Sequence, residues 1–325
     1  MSNDLRWFLC EHVKGMRYGA DLVSQPHFLA IVNPAAGGGR CGRFARSALG
    51  RVRRAGVEVE VVETSRRGEA TDIARNAYGK GIRKFLAVGG DGTSFEILNG
   101  LFPEAQNSTA ERVALGFLPL GTGNSFLRDF TQDGAEYTIA ALKAGKRRPC
   151  DVVRLRHSEG DLYFMNLLTL GFPAEVGETA NRRFKRWGEL GYIFAVFTRL
   201  ASLKHSSFPH RLDNPGQWNS DPALFLSFNN SKFTGGKMMI APKADPTDGS
   251  IEYVRWGPIG RLGLLRALPT LFSGTHIEHP LAFRAGAKHI DFRLNEPVNV
   301  MIDGEILRLE CRSIEILPGA FDAIV

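Results

Sequence analysis

The stretch Phe85-Leu-Ala-Val-Gly-Gly-Asp-Gly-Thr93 decides the fold, because a short apolar strand runs directly into glycines that open a helix. Glycine lets the backbone turn tightly and lets an anion approach without a Cβ in the way. The free N–H groups at the start of the helix would then point at a phosphate. A plain strand-to-helix turn with Asp91 as the helix cap fits this stretch equally well, so both interpretations stay open here.

Two more glycine-rich loops follow apolar strands: Asn33-Pro-Ala-Ala-Gly-Gly-Gly39 early in the chain and Gly121-Thr-Gly-Asn124 further along. The first loop lacks the Lys-Ser/Thr ending of a P-loop and the spaced glycines of a dinucleotide fingerprint. Thr122 and Asn124 carry short polar side chains that can hydrogen-bond phosphate or ribose. Asn124 would serve as well as a helix cap, which is a common use of asparagine.

The order of these elements predicts the fold class α/β. Strands alternate with helices over residues 27–148, which is typical of a mostly parallel sheet with helices on both faces. The carboxyl ends of parallel strands meet at one edge of a sheet, so we expect the three loops to lie together there. The predicted strands are residues 28–32, 57–62, 85–88 and 113–118.

The pattern becomes β-rich after a basic cluster at residues 143–148. We expect an antiparallel, sandwich-like domain over residues 149–325, with a last strand that could return to the first domain, and an N-terminal extension over residues 1–26. Apolar helical stretches lie near residues 175–204 and 260–272. The predicted strands lie near residues 151–157, 162–170, 223–229, 249–256, 288–294, 297–302 and 306–317.

The composition limits the possible classes of protein. The chain has 325 residues, 43% of them hydrophobic and 23% charged, which excludes the disordered and fibrous classes. The net charge of +7 makes nucleotides, anionic bilayers and nucleic acids candidate partners. No apolar run is long enough to span a bilayer. The cysteines are scattered and indicate a reducing compartment rather than disulfides; they are Cys10, Cys41, Cys150 and Cys311.

An ordered set of motifs resembles the diacylglycerol kinase catalytic-domain family, which includes bacterial lipid kinases, sphingosine kinases and ceramide kinases. The motifs are Asn33-Pro34, Gly89-Gly-Asp-Gly-Thr93, Gly121-Thr-Gly-Asn124 and Asp303-Gly-Glu305. The resemblance implies two domains with a nucleotide in the cleft. It also implies transfer of the γ-phosphate of ATP, with Mg²⁺, to a lipid hydroxyl: diacylglycerol first, a sphingoid or ceramide acceptor second.

The resemblance also implies roles for individual residues. Asp91 would act near the catalytic Mg²⁺, Asp151 would join a water-mediated magnesium network, and Glu305 would accept the proton of the lipid hydroxyl. Asp248 would bind a structural Mg²⁺, although an Asp-Gly turn explains this stretch as well. From the local sequence alone, Asp303-Gly304 favours a hairpin turn over a catalytic role for its neighbour. Residues implied to hold the nucleotide are Asn33, Gly89, Gly90, Asp91, Gly92, Thr93, Gly121, Thr122 and Asn124.

One departure from the family pattern is Phe95, since many bacterial members have an asparagine there; Glu96 keeps the following acid. That departure puts a phosphate contact at this position in doubt. Residues 182–187 are basic and aromatic and lead into the apolar stretch 190–203. This stretch is a candidate docking surface for an anionic membrane, with a packed core helix as the competing interpretation.

We therefore expect a cytoplasmic enzyme that contacts the inner face of the membrane peripherally, with no nucleic-acid partner; the sequence leaves the oligomeric state open. Two alternatives remain. An NAD kinase-like enzyme would share the Gly-Gly-Asp-Gly turn, and a non-catalytic nucleotide- or nucleic-acid-binding protein would use the arginine clusters.

Overall fold

A computed structural model describes residues 27–107, 111–183, 188–213 and 215–325. Its first part alternates strands and helices as the sequence predicts. The strands are β1 (Phe28–Val32), β2 (Val59–Glu63), β3 (Lys84–Gly89) and β4 (Ala114–Pro119). The helices are α1 (Arg40–Arg54), α2 (Glu69–Gly79), α3 (Asp91–Leu101), α4 (Ser125–Arg128) and α5 (Ala135–Ala144).

These four strands form a parallel sheet in the order β2-β1-β3-β4. Its central strands are apolar throughout because helices cover both faces. Residues of α2 and α3 pack on one face, and residues of α1 and α5 pack on the other. In α1 the buried residues recur at helical spacing on one stripe, which leaves its arginines on the outer side. The predicted α/β fold class is confirmed for this part of the chain.

The last strand connects the two parts of the molecule. β18 (Cys311–Ile324) pairs antiparallel with β5 (Arg148–His157) along most of its length, and its end lies parallel to β4. β5 also pairs with β6 (Gly160–Phe164), so it stays in the first sheet. The proposed boundary near residue 148 therefore stays a prediction, because backbone hydrogen bonds continue across it.

A second sheet is antiparallel throughout, in the order β14-β13-β10-β7-β16-β17. Its inner face packs against β5, β15 and β18 of the first sheet, which gives the sandwich-like second domain that the sequence predicts. The strands of the second sheet are β7 (Leu167–Gly171), β10 (Phe225–Asn229), β13 (Ile251–Trp256), β14 (Ala282–Ala287), β16 (Val298–Ile302) and β17 (Glu305–Leu309), whereas β15 (His289–Phe292) belongs to the first sheet.

Helices and short strands complete this domain. Residues of α6 (Phe172–Arg183), α7 (Gly188–Ala201), α8 (Arg261–Ala267) and α9 (Thr270–Ser273) share a buried cluster with β10 and β13. The short strands are β8 (His210–Leu212), β9 (Trp218–Asn219), β11 (Phe233–Thr234) and β12 (Met238–Met239). In the described ranges, no helix has both the length and the hydropathy that crossing a bilayer requires.

Two predicted strands are wrong, because each divides between the two sheets. The strand expected over residues 306–317 ends at Leu309, and β18 begins at Cys311 in the other sheet. The strand expected over residues 162–170 breaks at Met165 and Asn166, and its halves β6 and β7 lie in different sheets. The backbone N–H groups of Met165, Asn166 and Leu167 donate to the carboxylate of Asp303. Because a side chain takes these donors, the strand cannot continue in one ladder.

Candidate active site

The three glycine-rich loops meet at one edge of the parallel sheet. The N–H groups of Leu120 and Gly121 both donate to the carbonyl of Gly89, at 2.9 and 2.6 Å. A Cβ on Gly121 would lie 2.5 Å from Gly90 Cα, so these two loops touch backbone to backbone and only glycine fits. The N–H of Asn33 donates to the carbonyl of Val88, which ties the first loop to the same place.

A cavity of about 310 Å³ opens between these loops and the turn that joins β16 to β17. Asp91 and Glu305 both line it, so the two acids share one hollow. The other lining residues from the sequence analysis are Asn33, Gly90, Gly92, Thr93, Gly121 and Thr122. Gly89 and Asn124 lie beside it instead, in a small neighbouring recess. Asn124 has a positive φ of 52° and donates its side-chain N–H to the carbonyl of Gly121.

Asp91 stands in the first turn of α3 and links two loops. Its Oδ1 accepts the backbone N–H of Ser125 at 2.7 Å, and its Oδ2 would lie 2.5 Å from a Cβ on Gly123. Burial raises the pKa of Asp91, while hydrogen bonds from Ser125 and Phe126 act in the opposite direction. The close approach explains the glycine at position 123.

Thr93 follows Asp91 by two residues and is only 2% exposed. Its hydroxyl finds no hydrogen-bond partner among the described residues, although it borders the cavity. Buried hydroxyl groups in folded proteins nearly always have a partner. An oxygen of a bound ligand would supply one for Thr93.

The β16–β17 turn forms the opposite wall. Asp303 and Gly304 both have positive φ, at 48° and 88°, as a two-residue hairpin of type I′ requires. The Asp303 carboxylate accepts N–H bonds at 3.0 Å from Met165, 2.9 Å from Asn166 and 3.0 Å from Leu167. Burial raises the pKa of Asp303 to about 7 against the effect of these bonds, and the charge of Asp91 raises it further.

Glu305 is the first residue of β17, and the hairpin turn brings it into the cavity. Asp303 and Gly304 therefore form the hairpin turn that the local sequence favours, and the same turn places Glu305 at the cavity. Its side chain is 33% exposed, and its Oε1 would lie 2.9 Å from a Cβ on Gly92. Arg67, from the loop between β2 and α2, donates to its Oε2.

Asp303 and Arg67 are the site residues that sequence reasoning missed. An Asp-Gly pair in a hairpin is common, and the partners of Asp303 lie more than 130 residues away in the chain. Arg67 was one arginine in a basic cluster. Nothing in its immediate sequence points to Glu305, which lies 238 positions further along.

Asp151 does not reach the cavity. It is 1% exposed, and its two carboxylate oxygens accept backbone N–H groups of Gly249 and Gly319, each at 2.7 Å. It therefore ties β5 to the 245–250 loop and to β18, and burial raises its pKa. A role for Asp151 in a magnesium network stays a prediction, and the contacts that the structure shows are structural ones.

Asp248 lies in that same loop, where its Oδ1 accepts the N–H of Ser250 at 2.9 Å. This is the turn that the sequence analysis kept as the alternative. Burial raises the pKa of Asp248, as do the charges of Asp245, Asp151 and Glu252. Across the part of the chain that is described, no three acid, histidine or cysteine side chains are grouped to hold a metal. Structural magnesium at Asp248 stays a prediction.

Phe95 and Glu96, next to the glycine motif, have structural roles. Phe95 is 8% exposed and belongs to the buried cluster between the two sheets of the sandwich, so its side chain serves the interface between domains. Glu96 accepts the N–H groups of Gly68 and Ala70 at 2.9 and 3.2 Å, which caps the start of α2. Position 95 therefore holds a buried apolar side chain here, where many bacterial members have an asparagine.

The candidate docking segment is only partly visible. Residues 184–187 lie outside the described residues. Arg182 and Arg183 are exposed, as are Phe194 at 45% and Phe197 at 56%. Ala195 and Leu200 of α7 are buried. The helix therefore has a packed side and an outward aromatic side.

Comparison with known proteins agrees with this geometry. Residues 27–155 match the family model described as the diacylglycerol kinase catalytic domain. Residues 166–325 match the model described as the YegS C-terminal NAD kinase beta sandwich-like domain. These matches confirm the resemblance to the diacylglycerol kinase catalytic-domain family that the ordered motifs indicate.

Relatives cover most of the chain. The diacylglycerol kinase of Mycobacterium tuberculosis is 28% identical over 300 residues, which are 91% of this chain and 94% of that protein. A Chromohalobacter salexigens protein named "Probable lipid kinase YegS-like" is 34% identical over 209 residues, 64% of each chain. A Bacillus anthracis crystal structure, solved as that of a candidate diacylglycerol kinase, superimposes with a TM-score of 0.72 at 25% identity. It covers 95% of this chain and 98% of its own.

Proposed function

We propose that this chain is a lipid kinase that uses ATP and Mg²⁺ to phosphorylate a lipid hydroxyl, with diacylglycerol as the first acceptor and a sphingoid or ceramide alcohol as the second. One observation carries the proposal. A single cavity has three glycine-rich loops on one wall and the carboxylate of Glu305 on the other. Relatives named as diacylglycerol kinase and lipid kinase support the class of reaction.

The glycine wall would hold the phosphates of the nucleotide. Gly90 and Gly92 expose backbone at the start of α3, where the helix dipole favours a negative charge. Asn33 and Thr122 add polar side chains at the cavity surface, and the unpartnered hydroxyl of Thr93 adds a donor. Phosphoryl transfer needs this kind of wall, because the protein contributes mainly positioning and charge neutralisation.

The acidic residues fit a catalytic Mg²⁺. In kinase sites this ion takes one or two carboxylates, phosphate oxygens and water. Asp91 would hold it, since its carboxylate lines the cavity at the first turn of α3, and Asp303 faces the same cavity. Bound there, Mg²⁺ supplies charge neutralisation at the transferred phosphoryl group.

Glu305 would accept the proton of the lipid hydroxyl while that oxygen forms its bond to phosphorus and the bond to ADP breaks. Glu305 stands on the β16–β17 turn and its carboxylate reaches Gly92 of the glycine wall, so the acceptor hydroxyl would lie beside both the carboxylate and the phosphates. The lipid would reach the cavity from a membrane surface. We propose that the outward aromatic side of α7, with the arginines at 182 and 183, makes peripheral contact with anionic lipid.

An NAD kinase-like activity is the second candidate. It is favoured by one observation, which is the likeness of the second domain to an NAD kinase sandwich. The two candidates differ in the acceptor, because NAD is soluble and a lipid acceptor needs an interface.

The test is to supply the purified protein with Mg²⁺ and ATP labelled in the γ-phosphate, together with diacylglycerol, ceramide and sphingosine in mixed micelles, and NAD in parallel. We expect label in a lipid, with diacylglycerol the strongest. Label in NAD alone would contradict the proposal, and so would hydrolysis of ATP without any labelled acceptor.

A further inference from the structure

Arg67 forms an ion pair that crosses the two domains. It lies in the loop between β2 and α2, and its guanidinium donates to the Oε2 of Glu305 at the start of β17. No part of the function proposed so far uses this arginine. Its position beside the proton acceptor calls for an explanation.

The loop that carries Arg67 is firmly held. The Glu96 carboxylate accepts the N–H of Gly68 at 2.9 Å, which fixes the loop to α3. The Glu69 carboxylate accepts the hydroxyl of Ser65 at 2.8 Å and the N–H of Arg66 at 3.2 Å. The backbone of Arg67 is therefore anchored to the same helix whose first turn lines the cavity.

The Glu305 carboxylate lies in an environment suited to a phosphate. One of its oxygens lies against Gly92 in the first turn of α3, and the other meets the guanidinium of Arg67. A helix N-terminus and a guanidinium together favour an anion with several oxygens. Thr93, whose hydroxyl is buried and has no hydrogen-bond partner among the described residues, lines the same cavity as Glu305, which is an independent sign of a ligand in that cavity.

We infer that Arg67 binds the terminal phosphate of the nucleotide and exchanges the Glu305 carboxylate for it when the nucleotide binds. The inference rests on the proposed function. The ion pair is easily exchanged, because Arg67 is 70% exposed and water competes for exposed pairs. A terminal phosphate carries more charge than a carboxylate and accepts a bidentate guanidinium. The exchange would also free Glu305 to take the proton of the acceptor.

The terminal phosphate is the relevant one because of where Glu305 lies. A group that takes the acceptor's proton must stand next to the phosphoryl group in transfer. Arg67 donates directly to Glu305, the residue that would take this proton. Loss of Arg67 should therefore weaken the binding of ATP much more than the binding of ADP, which lacks the transferred phosphate.

The test is calorimetric titration of the full chain with ATP and with ADP, both with Mg²⁺. We expect Arg67→Ala to weaken ATP binding about ten-fold and ADP binding less than about two-fold, and Arg67→Lys to lie between. Arg66→Ala is the matched control, because Arg66 is 65% exposed and pairs with Asp72 instead. It should leave both affinities unchanged. Equal ATP affinity in wild type and Arg67→Ala would overturn the inference, as would equal losses in the two alanine variants.

Glu305→Gln tests the exchange itself. It should tighten ATP binding about three-fold by releasing Arg67 and removing a negative charge, and the gain should shrink in the Arg67→Ala background. An equal gain in both backgrounds would overturn the exchange. Failure of the proposed function would appear separately, as the absence of labelled lipid in the transfer assay, whether or not wild type binds the two nucleotides.

Discussion

The two walls of the cavity are built by different means. The glycine wall is backbone held against backbone, with Gly121 packed on Gly90 and two N–H groups on the carbonyl of Gly89. The acidic wall is made of side chains, and its shape depends on Asp303 and Arg67 reaching residues far away in the chain. The first wall should tolerate no added atom, whereas the second should tolerate added atoms but not a lost charge.

Gly121→Ala tests the glycine wall and carries the largest expected effect. The new Cβ would lie 2.5 Å from Gly90 Cα and 2.8 Å from Gly90 N, with no flexible side chain to move aside. We expect the free energy of unfolding to fall by about 3 kcal/mol or more. Urea unfolding would measure this fall.

Gly38→Ala is the matched control. Gly38, unlike Gly121, has a positive φ, +64°, and no described atom lies within 4 Å of its added Cβ. Only the left-handed backbone is penalised, at about 1–2 kcal/mol. Equal losses in the two variants would mean that backbone contact between the loops is not what makes the wall rigid.

Asp303→Asn tests the acidic wall and should have a smaller effect on stability. Asp303 uses both oxygens as acceptors, and an amide has only one. We expect a loss of about 2 kcal/mol at pH 8, together with reduced activity because Glu305 shifts. Urea unfolding and lipid phosphorylation would measure the two effects.

Asp213→Asn is the control for this pair. Asp213 also has a positive φ, 41°, and a single oxygen accepts the N–H groups of Lys288 and His289, each at 2.9 Å. An asparagine can keep both bonds, so we expect a loss of only about 0.5 kcal/mol and full activity. A loss of activity in this variant would show that the assay reports general stability.

The pH dependence of stability tests the burial of the Asp303 carboxyl, and its effect is spread over several pH units. Burial raises the pKa of Asp303 to about 7 in the folded protein, above the 3.8 of a free aspartate side chain. Between these values the folded state holds a proton that the unfolded state has released, so stability is greatest at low pH and falls as the pH rises toward 7. The slope for one proton is at most about 1.4 kcal/mol per pH unit. Urea unfolding from pH 4 to 8 should show this slope in wild type and not in Asp303→Asn; identical slopes would contradict the assignment.

The same difference between walls explains how much the sequence could predict. The signal from Gly89 to Thr93 lies within a few neighbouring residues, and parallel strands necessarily bring their carboxyl ends together. The sequence therefore predicts where the glycine-rich loops lie. Glu305 was found only through the resemblance, because its own neighbours read as a hairpin turn. The break at Asn166 could not be predicted, since the carboxylate that causes it lies 137 positions away. Arg67 depends on Glu96 fixing its loop, a contact that no local pattern reveals.

The most direct test of the central claim is the rate of phosphoryl transfer in Glu305→Gln, measured at saturating ATP and lipid beside the affinity for ATP. If this carboxylate takes the proton of the acceptor, kcat should fall about 100-fold or more while ATP binding is retained. A variant that phosphorylates lipid as fast as wild type would contradict the account, because the acidic wall would then have no part in the chemistry.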